Sequence, residues 1–149
     1  MARGDLSGII RFSSFNVDEI RRELGVLLSH EADIMGRQDN LEAEFAAERD
    51  AAAQIEGGAI TFTGYFNAYK QRQANLAEAL FRVRSEIDEV QDRLAEAYKE
   101  LKTYELTQEN RDAREEAEQN RKEQIALDEM GQNLHARHPA KIAEKKDGR

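Results

Sequence analysis

The sequence predicts an all-α fold: a long antiparallel two-helix coiled-coil hairpin with an unpaired C-terminal helical extension. Three observations carry this. Apolar residues recur at steps of four and three through two long stretches. A Gly-Gly pair separates the stretches. The second pattern stops close to where the first helix runs out of chain to face it.

The first pattern runs through Leu6, Ile10, Ser13, Val17, Ile20, Leu24, Leu27, Glu31, Ile34, Gln38, Leu41, Phe45, Glu48, Ala52 and Ile55. Eleven of these fifteen positions are apolar and the phase never slips. A repeat of 3.5 residues keeps one stripe of a helix facing a partner helix. Helix one is therefore expected over about 6–56. Glu31, Gln38 and Glu48 interrupt the stripe, as polar seam residues do when they fix register or leave room for an outside partner. Gly25 and Gly36 lie off the stripe. Each costs about 1 kcal/mol against alanine in a helix interior, and nothing in the pattern requires them.

A turn is expected at 57–61, because Gly57 and Gly58 tolerate the positive φ that ends many helices. Thr61 or Thr63 is the expected cap of helix two. The second pattern runs from Phe62 through Phe66, Tyr69, Gln73, Leu76, Leu80, Val83, Ile87, Val90, Leu94, Ala97 and Leu101 to Tyr104, with twelve of thirteen positions apolar. The same frame then meets Gln108, Arg111, Glu115, Glu118 and Lys122. Folding back at the glycines sets Leu6 opposite residue 111, which explains the stop. Helix two is expected to continue unpaired to about 134, held by i,i+4 pairs worth a few tenths of a kcal/mol each. The expected organisation is one hairpin over 1–134 and a disordered tail over 135–149.

Composition narrows the function. The 149 residues carry a net charge of −8, which disfavours nucleic acid and anionic membranes as ligands. The absence of cysteine rules out disulfides and thiolate metal sites. No stretch is apolar enough to insert in a membrane, and no signal-peptide core opens the chain, so a cytoplasmic location is expected. Carboxylates are plentiful, but on a solvated helix they lack the shielding that shifts a pKa for catalysis. His135 and His138 sit three apart beside Pro139 and read as solvent-exposed, so no metal is expected. The glycine-rich 57–64 segment lacks a phosphate-binding lysine. No cofactor and no catalytic residue is expected.

What remains is docking chemistry. Leu127, Met130 and Leu134 share one helical face, with Ile125 close by, and have no intramolecular partner, as in helix-in-groove contacts. Phe62, Tyr65, Phe66 and Tyr69 cluster at the hairpin tip. They read either as a core that closes the turn or as a partner surface, for which the off-seam Tyr65 is the better candidate.

Several segments resemble the flagellar export protein FliJ family. They are Leu6–Arg11 with Val17–Leu24, then Tyr65–Tyr69 followed by Leu76 and Leu80, then Leu127–Met130, in that order and over nearly the whole chain. The resemblance implies a non-enzymatic stalk of the bacterial flagellar type III export apparatus. The end carrying both termini would enter the hexameric export ATPase ring and promote its assembly and activity. It implies ring contacts at Leu6, Ile10, Leu127, Asp128, Glu129 and Met130. It also implies contacts with the cytoplasmic domain of the membrane export gate and with export chaperones, and a position against the inner membrane without insertion. Leu41, Leu76 and Ala79 match the gate contact, with Tyr65 and Tyr69 as client candidates. Glu44 and Glu48 stand where aromatic residues are expected for that contact. A structural tether, a substrate-holding chaperone and the virulence-type counterpart of the same stalk are the alternatives.

Overall fold

The computed structural model describes residues 5–137. It contains two helices, α1 over Ser7–Ala53 and α2 over Gly58–Arg137. The described contacts group into two compact units, Ile9–Lys102 and a second made of residues 5–8 with 103–137.

In the first unit α1 and α2 run antiparallel along the expected seam. Val17, Ile20, Val90 and Ala97 are buried together, with Leu24, Leu27, Leu94 and Leu101 packed against them. Nearer the turn, Ile34, Val83 and Ile87 form a second cluster, flanked by Leu76, Ala79 and Leu80. Two ion pairs bridge the helices beside the seam, Arg84 Nε to Glu31 at 2.8 Å and Arg93 to Glu23 at 2.6 Å. The midpoint of each facing pair falls at Gly57–Gly58. Glu31, read as an interruption, thus has a partner across the hairpin. Ser13 is also buried, and no buried side-chain polar atom among the described residues lacks a hydrogen bond.

The turn is tighter than expected. α1 ends at Ala53 instead of 56, and α2 begins at Gly58, inside the segment expected as a turn. Gln54 and Ile55 donate to the carbonyls of Ala51 and Ala52, three residues back, which winds up the last turn. Gly57 then takes φ +78°, the left-handed conformation that only glycine adopts freely. Gly58 is needed for a different reason: a Cβ there would lie 2.3 Å from the Ala52 carbonyl oxygen. Since the chain has reversed by Gly58, Ala59–Thr61 are free to be helical. Thr63 is consequently inside α2, its hydroxyl bonding back to the Ala59 carbonyl, and caps nothing. Glu48 and Ile55, expected on the seam, are exposed, whereas Ala52 between them is half-buried; Ile55 lies past the end of α1.

In the second unit the start of α1 is tied down twice. Asp5 accepts from the Ser7 amide and hydroxyl, both at 2.9 Å. The Leu6 amide donates to Gln108 Oε1 at 2.7 Å, where the fold-back at the glycines suggested residue 111. Gln108 Nε2 in turn donates to Asp112. These contacts take up orphan donors that every helix start exposes. From Arg111 to Arg137 every residue is exposed. The helix includes His135, Ala136 and Arg137, the first residues of the expected tail. The rest of that tail, with His138 and Pro139, lies outside the described residues.

Candidate partner-binding surfaces

The segment 125–134 presents its apolar side chains to solvent. Leu127 and Met130 are each 60% exposed and Leu134 55%. Their spacing puts all three within one stripe of α2, with Asp128 and Glu129 beside it. Asp128 accepts from Gln124 at 3.1 Å and Arg121 pairs with Glu118 at 2.9 Å, so local polar pairs support the helix that carries the stripe. Leu6 and Ile10, matched to the same role, are half-buried.

The tip is an aromatic cluster. Phe45 stacks on Tyr69 with ring centroids 4.2 Å apart and meets Phe62 and Phe66 at 5.6 and 5.9 Å. Tyr65 lies 6.1 Å from Phe62, and the Lys70 ammonium sits over Phe66 at 4.7 Å. The rings pack on one another across the turn, and each remains partly exposed. Partial burial, followed by the charges of Glu48 and Glu44, pushes the Tyr65 phenol above its ordinary range. Of the residues matched to the gate contact, Leu41 is buried, and Leu76 and Ala79 are half-buried against the Ile34–Val83–Ile87 cluster. They serve packing first.

The sequence reading missed one surface. Phe12 is 74% exposed, Phe15 58% and Val26 70%, with Ile9 also exposed, all on α1. Counting the seam as heptad positions a and d puts Phe12 and Val26 at c and Phe15 at f, on the outer side of the helix. Their phase was available in the sequence, but none of them lies in the seam frame.

Fold and surfaces together define a class: a two-helix coiled-coil hairpin that leaves apolar side chains exposed on its helix faces. Among the described residues no group of three or more histidine, cysteine or acidic side chains could hold a metal, and no helix is long and apolar enough to cross a membrane. The family model described as "Flagellar FliJ protein" matches residues 3–140. The chain belongs to the FliJ family, and with it to the non-enzymatic components of the flagellar export apparatus. Neither a curated protein nor a solved structure matches it.

Proposed function

We propose that this chain is a stalk and adaptor of the export apparatus. It binds the export ATPase hexamer through the Leu127–Met130 segment and promotes ring assembly and hydrolysis. The observation that carries this reading is the run of wholly exposed helix from Arg111 to Arg137, with its apolar stripe at Leu127, Met130 and Leu134. A helix end with no cover of its own is suited to an apolar-lined groove or ring lumen. Any effect on hydrolysis would come from preferring some ring conformations over others. Asp128 and Glu129 flank the stripe and would orient it against basic groups, with Leu6 and Ile10 as further candidate ring contacts.

Contacts with the export gate and with chaperones belong to the same proposal. The exposed edges of Leu76 and Ala79 and the partly exposed Tyr65 and Tyr69 are the candidate positions, with Leu41 behind them. The working location is the cytoplasm, peripheral to the inner membrane.

The test is ATP hydrolysis by the cognate export ATPase, titrated with the full chain and with a version ending at Gln124. Stimulation by the full chain and little by the shortened one supports the stalk. If neither stimulates while both remain helical, the stalk mechanism falls and a tether or substrate-holding chaperone takes its place.

A further inference from the structure

Two features of α1 have no role in the hairpin or in the proposed stalk. The first is the exposed face of Ile9, Phe12, Phe15 and Val26. The second is the glycine pair Gly25 and Gly36. A Cβ at either would meet nothing within 4 Å, and neither has a positive φ. No contact within the chain explains two glycines in a helix interior, where each is unfavourable.

They fall on the same side of the helix. Gly25, Ser29, Ala32 and Gly36 follow one another at steps of four, three and four, and all are exposed. They make a shallow strip beside Val26. Phenylalanines at one end of a helix and a strip of small residues further along it are matching halves of an antiparallel contact. Between them lie Glu19 and Arg22, exposed and paired with each other within the chain.

The pattern is self-complementary. An antiparallel register that sets Glu19 of one copy opposite Arg22 of another also sets Phe15 opposite Val26 and Phe12 opposite Ser29. Each Phe12 then rests on the Gly25–Ser29–Ala32 strip of the other copy. Both charges meet their opposites, twice, about a two-fold axis, as an isologous interface requires. Phe12, Phe15, Glu19, Arg22, Val26 and Ser29 take the outer positions c and f, opposite the seam, so α2 does not obstruct them, while Ile9 lies at g, nearer the seam.

We propose that a second copy of this chain docks on the outer face of α1, back to back and antiparallel, through Phe12, Phe15, Val26 and the Gly25–Ala32 strip. The contact runs from Ile9 to Ala32, roughly 35 Å of helix. A single helix pair of that length buries on the order of 1,000 Å² in total, at the low end of specific interfaces. An interface of that size belongs to the weak, transient class, so the dimer is expected to be reversible.

The full chain is tested by sedimentation equilibrium across concentration, with helicity checked for each variant. A monomer–dimer equilibrium is expected. Phe15→Glu should abolish it. Glu19→Arg and Arg22→Glu should each weaken it by about tenfold, and the double variant should restore it to within about threefold. The chain has no cysteine, so a Phe15→Cys/Val26→Cys variant gives a clean register test. Those positions are roughly 16 Å apart along one helix, beyond the reach of an internal disulfide. Oxidation should yield a covalent dimer. Three results overturn the proposal: a monomer up to about 1 mM, a dimer indifferent to Phe15→Glu but lost on ending the chain at Gln124, or failure of both rescue and cross-linking. A chain that stays monomeric but loses ATPase stimulation with Phe15→Glu would assign the face to a different protein.

Discussion

At the turn, two adjacent glycines do unlike jobs, and their substitutions separate accordingly. Gly57→Ala strains a left-handed backbone and should cost about 1 kcal/mol. Gly58→Ala drives a methyl into the Ala52 carbonyl and should cost about 2 kcal/mol or more, since the obstacle is backbone. Gly25→Ala and Gly36→Ala meet open space and should each stabilise the monomer by up to about 1 kcal/mol. Urea midpoints at low protein concentration check all four. Asp5 offers a pH test. Its carboxyl is held below the usual value by the Ser7 amide and then the Ser7 hydroxyl. The stabilisation is therefore present above the unfolded value of 3.8 and is lost as pH falls through the lower folded value. Asp5→Asn should leave no such step below pH 3.8, as followed by the Ser7 amide resonance.

The seam was legible in the sequence because a repeat of 3.5 residues leaves little freedom. Every seam residue from Leu6 to Phe45 is buried or half-buried, and from Phe62 to Tyr104 only Gln73 is exposed. Packing of this kind predicts that Ile87→Ala, in the middle of the second cluster, costs about 2–4 kcal/mol in urea unfolding. The bridges beside the seam matter less. A double-mutant cycle on Glu23 and Arg93 should give a coupling below about 1 kcal/mol that shrinks with salt, because both side chains are about half-exposed. Helix ends were read less well. Gly57 and Gly58 marked the reversal, but the sequence does not show that α2 can start at the second glycine itself, so α2 began earlier than expected. The outer face of α1 was not read at all. Periodicity identifies what a helix buries within its own chain, and Phe12, Phe15 and Val26 are buried by nothing there.

Across the molecule, cover is uneven. Residues 9–102 contain both buried clusters, whereas every residue of 111–137 is exposed. Most helical stability in proteins comes from tertiary packing, which this exposed segment lacks. Hydrogen exchange should therefore show amides of 111–137 exchanging through local opening, orders of magnitude faster than those around Val17, Ile34 and Val90. Binding to a partner should slow them. If they are as protected as the seam in the free monomer, the segment has cover that its exposure does not reveal.

The turn has one more consequence, for the order in which the chain assembles. Phe45 and Tyr69 are 24 positions apart, while Glu23 and Arg93 are separated by 70. Closing the short loop first is the cheaper start, and each later pair then adds little further loop entropy. The hairpin should thus zip from its aromatic tip towards its ends. On the ribosome, α1 would emerge whole and stay single until Phe62–Tyr69 followed it out. In that interval its seam is bare, and the flanking acids and arginines of α1 must keep the nascent helix from aggregating.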